Sequence, residues 1–70
     1  MDPREVFAAN LRRERLRQQL SQEALGESAD LDMSEVSRLE RGRREPRLGT
    51  IVKLARALGI PPARLLDGIR

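Results

Sequence analysis

Apolar residues recur every three or four positions along most of this chain, and interruptions of that spacing divide it into short helices. The first helix is predicted over residues 3–18. Asp2 is a suitable N-terminal cap, and Phe7 and Leu11 mark the apolar face at four-residue spacing. Residues on the other faces are mostly charged, so the pattern indicates an amphipathic helix with one side in a core.

A second helix is predicted over about residues 22–29, capped by Ser21. Gly26 lies inside it and costs about 1 kcal/mol of helix propensity relative to Ala. We therefore expect a close neighbour at that point, such as a crossing helix. Asp30 follows the helix, and we expect it to adopt a left-handed conformation in a short turn.

A third helix is predicted over about residues 33–41. Asp32 stands at its cap position, Glu35 three residues later completes a capping-box pattern, and Gly42 provides the stop. Because only a few residues separate the second and third helices, the two form a helix-turn-helix arrangement over about residues 20–42.

Two more helices are predicted in the remainder of the chain. Gly59 ends the fourth, and Pro61 and Pro62 start a short fifth. The apolar face of the fourth helix comprises Leu48, Ile51, Val52, Leu54, Ala55 and Leu58, and the fifth carries Leu65, Leu66 and Ile69. The sequence thus predicts an all-α fold, a compact five-helix domain spanning residues 1–70.

Composition narrows the possible functions. The chain contains no Cys and no His, which removes disulfides, thiolate metal sites and the usual general base, so we expect no enzyme activity, no metal and no cofactor. Its apolar runs are too short to cross a bilayer, and the N-terminus does not resemble a signal peptide. We expect a cytoplasmic protein.

The charge distribution is compatible with a solvated charged loop, but its position at the end of the third helix favours a nucleic-acid partner. The net charge is only +3, but 13 of the 14 basic residues are Arg. Arg forks two hydrogen bonds onto a phosphate or a guanine edge. Five arginines fall within ten residues at the end of the third helix: Arg38, Arg41, Arg43, Arg44 and Arg47.

Several of these segments together resemble the lambda-repressor/Cro-like helix-turn-helix family, also called the XRE family. The matching segments are Leu20–Leu25, Leu39–Gly42, Pro46 and Ile51–Gly59, in the order and spacing of that family and across nearly the whole chain. The resemblance implies a five-helix DNA-binding fold of a prokaryotic or phage transcriptional regulator, most often a repressor. Its third helix would enter the major groove.

The resemblance also implies roles for individual residues. Base contacts would come from Met33, Ser34, Glu35, Ser37 and Arg38. Phosphate contacts would come from Ser21, Gln22, Arg41 and Arg43, and a structural ion pair would join Arg15 to Glu40.

Most of these residues also have a simpler interpretation. Ser21 could serve only as a cap, Met33 could only shield the turn, and Arg38 could form a surface ion pair. Glu35 either accepts a hydrogen bond from a cytosine amino group or only caps its helix. Gln22 has few structural duties at a helix start, which favours a phosphate contact.

The C-terminal stripe of Leu65, Leu66 and Ile69 is either core, dimer seam or both. A core of this size cannot enclose all three, so we expect a homodimer on a near-palindromic operator in double-stranded DNA. Two alternatives use the same fold: an antitoxin or restriction-modification controller, or a protein-interaction module. An antitoxin would have a protein partner.

Overall fold

The computed structural model describes residues 1–70 and contains five helices and no strand. They are α1 (Pro3–Arg17), α2 (Gln22–Ala29), α3 (Met33–Glu40), α4 (Leu48–Leu58) and α5 (Pro62–Leu65). The all-α prediction is confirmed, and the predicted bounds of α1 to α3 agree to within one residue. None of the helices combines the length and apolarity needed to span a membrane.

One aliphatic core joins all five helices, with Phe7 as its only aromatic side chain. Most of the inward positions predicted from helical spacing are buried, including Val36 and Leu39 on α3, whereas Val52 on α4 is half-buried. Leu48 is an exception, because it lies at the first position of α4 and is 77% exposed. The core members are Phe7, Leu11, Leu25, Ala29, Val36, Leu39, Ile51, Leu54, Ala55, Leu58 and Leu65.

The helix starts follow the predicted caps in two of three cases. The Asp2 carboxylate accepts from the backbone N–H of Arg4 at 2.8 Å, and the Ser21 hydroxyl accepts from that of Ala24 at 3.0 Å. The capping box predicted for α3 is wrong, because the Asp32 side chain makes no capping hydrogen bond. The Glu35 carboxylate is instead engaged by arginines.

The turn between α2 and α3 explains the glycine inside α2. Asp30 has the predicted left-handed backbone, with φ of 58°. The Leu31 N–H donates to the Gly26 carbonyl at 2.8 Å, which folds the turn back over α2. A Cβ on Gly26 would lie 2.6 Å from the Leu31 carbonyl oxygen. The expected close neighbour is therefore the backbone of the turn rather than a crossing helix.

The last helix is shorter than predicted. α5 has only four residues, and Ile69 lies beyond it. The buried amide of Asn10 donates to the Leu65 and Asp67 carbonyl oxygens at 2.9 and 2.8 Å, and Gly68 then turns with φ of 87°. Because Asn10 of α1 binds these carbonyl groups and the helix ends there, the C-terminal apolar residues do not lie along one helical face.

Candidate nucleic-acid interface

The third helix has two faces with different roles. Its inner face carries Val36 and Leu39, which are completely buried, and Glu40, whose side chain is only 3% exposed. Its outer face carries the residues predicted to contact bases. An eight-residue helix has little stability in isolation, so packing against the core must hold it in position.

The predicted base-contacting residues are grouped at the start and outer side of α3. Met33 is 52% exposed, Ser34 is also exposed, and Ser37 is half-buried. The Arg38 side chain is 49% exposed and points away from the core. These residues form an accessible surface with the hydrogen-bonding and apolar groups that reading a major groove requires.

Glu35 does not act as a capping residue, because its carboxylate is engaged by two arginines, and its contact with a cytosine amino group stays a prediction. Its Oε1 atom accepts from Nη1 of Arg44 at 2.7 Å and lies 3.8 Å from Nη1 of Arg38. The Glu35 carboxylate is thus shared between Arg38 of α3 and Arg44 of the loop that follows α3. Arg44 was one of the clustered arginines in the sequence but not one of the predicted site residues.

The predicted phosphate-contacting residues include two unpaired cations. Arg41 and Arg43 are exposed in the loop after α3 and form no ion pair with a carboxylate. Ser21 is exposed at the start of α2, and its hydroxyl oxygen accepts the capping hydrogen bond, which leaves its O–H free to donate to an anion.

Gln22 has a structural partner that the sequence did not indicate. Its side-chain amide donates to Oε1 of Glu40 at 3.2 Å. The expectation that this side chain has few structural duties is therefore wrong. The side-chain amide has a second N–H, so the phosphate contact of Gln22 stays a prediction.

Arg15 and Glu40 form the ion pair that the family resemblance implied. Nε of Arg15 lies 2.6 Å from Oε2 of Glu40, and Nη2 lies 2.8 Å from Oε1, so the contact is bidentate. Nη1 of Arg15 also donates to the Leu20 carbonyl at 2.9 Å. Hydrogen bonding to Glu40 raises the pKa of the Arg15 guanidinium above its usual value. The ion pair therefore links α1 to α3, and Arg15 also links α1 to the segment just before α2.

The predicted dimer seam must be corrected at Leu65, which is completely buried in the core of one chain. Leu66 is 39% exposed, and Ile69 is half-buried against the core. Both line a shallow groove of about 160 Å³ together with Pro46 and Ile51. Only Leu66 and Ile69 are therefore accessible to a second copy.

The inner face of α3 packs against the core, a short turn joins α3 to α2, and unpaired arginines lie just beyond α3. These features define a helix-turn-helix DNA-binding domain. Comparison with known proteins agrees. The Helix-turn-helix family model matches residues 11–65, so the chain belongs to this family of DNA-binding transcriptional regulators.

Three relatives illustrate the similarity. Control protein C.BamHI of Bacillus amyloliquefaciens is 40% identical over 63 residues, which cover 89% of this chain and 78% of that protein. The crystal structure of the restriction-modification controller protein C.AhdI from Aeromonas hydrophila has a TM-score of 0.87 and 44% identity, covering 89% of this chain and 94% of that one. An uncharacterized HTH-type transcriptional regulator of Sinorhizobium fredii, y4dL, is 39% identical over 94% of this chain, which spans only 36% of that regulator.

Proposed function

We propose that this protein is a sequence-specific double-stranded DNA-binding regulator of transcription, acting as a repressor. The observation that carries the proposal is the division of α3, which is fixed by Val36, Leu39 and Glu40 on one side and presents Ser34 and Arg38 on the other. This arrangement supports insertion of α3 into the major groove.

We infer two classes of contact. Arg38, together with Met33, Ser34 and Ser37, would read base edges. The phosphate contacts would come from Ser21 and Gln22 at the start of α2 and from Arg41 and Arg43 beyond α3. Phosphate contacts fix the register of the protein on DNA, whereas base contacts provide specificity.

The dimer completes the proposed interface. One domain of this size offers few phosphate contacts, and two copies on half-sites one helical turn apart double that number. Leu66 and Ile69 would meet their counterparts across a two-fold axis. A symmetric dimer of this kind recognises a near-palindromic operator.

Selection of bound sequences from a random DNA pool, followed by fluorescence anisotropy at several salt concentrations, tests the proposal. Each neutralised phosphate should contribute about −0.9 to the slope of log affinity against log salt. Arg38→Ala should lose about 1–3 kcal/mol on the selected site and relax the preference at one base pair.

Arg43→Ala is the matched control, because it removes the same side chain from the loop rather than from α3. It should weaken binding to all sequences alike and reduce the salt slope. An Arg38→Ala protein that selects an unchanged consensus contradicts the base-reading role, and binding that does not depend on salt contradicts the phosphate contacts.

A second candidate, a restriction-modification controller, is favoured by the similarity to C.AhdI along 94% of that chain. It uses the same DNA-binding surface, and a neighbouring methyltransferase or endonuclease gene would distinguish it. On both interpretations we infer that the protein binds rather than catalyses and that it acts in the cytoplasm, where its DNA target would lie.

A further inference from the structure

An anionic side chain lies in the middle of the proposed DNA-binding surface. Glu35 occupies the first turn of α3, the part of a recognition helix nearest to the bases. Its side chain is 20% exposed, whereas those of Arg38 and Arg44 are about half exposed at 49% and 51%. The Glu35 carboxylate is therefore less exposed than the two guanidinium groups beside it.

This arrangement divides the arginines near α3 into two groups. Arg41 and Arg43 have no carboxylate partner and can approach any phosphate. Arg44 is hydrogen-bonded to Glu35 at 2.7 Å, and Arg38 lies 3.8 Å from the same oxygen. To contact a phosphate elsewhere, Arg44 must give up a charge-assisted hydrogen bond and leave a carboxylate facing the DNA.

Non-specific binding depends almost entirely on cations that are free to neutralise phosphates. A carboxylate that pairs with two cations reduces that contribution on every sequence that offers no base contacts in return. On the correct site, by contrast, Arg38 gains a base edge, and a cytosine amino group can donate to the Glu35 carboxylate. On a non-cognate sequence, α3 gains none of these base contacts, while Arg38 and Arg44 stay paired with Glu35 and do not neutralise phosphates.

We propose that Glu35 sets the ratio of specific to non-specific DNA binding by withholding Arg44 and Arg38 from non-cognate phosphates. Glu35 is then a specificity-determining residue that acts partly through its two arginine partners. This inference rests on the proposed DNA-binding function.

The test compares Glu35→Gln with the wild-type protein on the selected operator and on random-sequence duplex DNA, each across a salt series. Releasing one arginine should add one neutralised phosphate on random DNA. The salt slope should steepen by about 0.9, and the affinity at 0.15 M salt should rise about fivefold. Affinity for the operator should stay constant or fall, so the specificity ratio should decrease at least fivefold.

Two variants provide the controls. Glu27→Gln makes the same change of charge at an exposed carboxylate on α2 that forms no ion pair, and it should leave the specificity ratio unchanged. Arg44→Ala combined with Glu35→Gln should abolish most of the increase on random DNA. Circular dichroism of each variant checks that the helices are retained.

Several outcomes would overturn the inference. One is a Glu35→Gln protein that matches Glu27→Gln in slope and specificity ratio. Another is an increase in affinity for random DNA that persists in full when Arg44→Ala is combined with Glu35→Gln. A wild-type protein without salt-dependent DNA binding would refute the proposed function, and with it this inference. Wild-type binding with an unaffected specificity ratio in Glu35→Gln would refute this inference alone.

Discussion

Replacing either Arg15 or Glu40 alone should destabilise the domain severely. Replacing both should lower the free energy of unfolding by much less than the sum of the two single changes. The two side chains are 10% and 3% exposed and share two hydrogen bonds. Removal of one partner leaves an uncompensated charge in a nearly dry setting, which typically costs about 3–5 kcal/mol. Arg15→Met and Glu40→Met are suitable changes because Met keeps much of the side-chain volume.

The expected loss is large compared with the stability of so small a domain. At about 0.05–0.15 kcal/mol per residue, the free energy of unfolding should be roughly 4–10 kcal/mol. One kcal/mol corresponds to about 4–8 °C in melting temperature for a domain of this size. Each single variant should therefore melt at least about 12 °C below the wild-type protein.

Urea and thermal unfolding, followed by circular dichroism at 222 nm, measure all four proteins of the double-mutant cycle. The double variant removes both charges, so it should be no less stable than the poorer single variant. The coupling free energy should then be about 2–3 kcal/mol. Losses that simply add, with coupling below about 0.5 kcal/mol, would refute the reasoning.

The pH dependence provides an independent check. The pKa of Arg15 is raised in the folded protein by its hydrogen bonds to Glu40. A raised pKa means that the Arg15 contribution is complete below the unfolded-state pKa and is lost only as the pH rises through the folded-state value. Arg15 does not titrate between about pH 6 and 9, so the decrease in the free energy of unfolding caused by Arg15→Met should be constant over this range.

Two further predictions concern the turn and the dimer. Gly26→Ala should destabilise by about 1–3 kcal/mol despite the better helix propensity of Ala, because the new Cβ would meet the Leu31 carbonyl oxygen at 2.6 Å. Gly49→Ala, which has open space around its Cβ, should be neutral or slightly stabilising in the same urea titration, and equal effects at both sites would contradict the steric argument. Ile69→Asp should keep the fold but weaken dimerisation and full-operator binding, as measured by sedimentation and anisotropy. A folded Ile69→Asp protein that still dimerises normally would place the interface elsewhere.

The helices of this fold could be predicted because their signals are local. Apolar spacing, the caps at Asp2 and Ser21 and the stop at Gly42 each act within a few residues. The left-handed backbone at Asp30 could be predicted for the same reason. The capping box at Asp32 is wrong on both sides: the Asp32 side chain makes no capping hydrogen bond, and the Glu35 carboxylate accepts from Arg44. Arg44 lies nine residues after Glu35, in a loop whose path the local sequence does not specify.

In the candidate site, too, features set by local sequence could be predicted, whereas features set by distant residues could not. The exposure of Ser34 and Arg38 follows from helical geometry once Val36 and Leu39 are assigned to the core. The contact between Gln22 and Glu40 joins residues 18 positions apart on different helices, so no local pattern contains it. The burial of Leu65 beside the exposed Leu66 depends on where α5 ends, and the Asn10 amide of α1, 55 residues before Leu65, binds the carbonyl groups there.

The two glutamates of α3 connect stability and recognition at opposite ends of one short helix. Glu40, at the C-terminal end of α3, pairs with Arg15 of α1. Glu35, in the first turn of α3, pairs with Arg44 of the following loop. The Glu40 contacts are nearly dry, so losing them should affect folding before DNA binding. The Glu35 contacts are solvent-accessible and worth little to folding, so losing them should affect mainly the choice between DNA sequences. We therefore expect the same residue type on the same helix to have separable effects, because burial determines whether an ion pair would contribute mainly to the fold or mainly to the proposed interface.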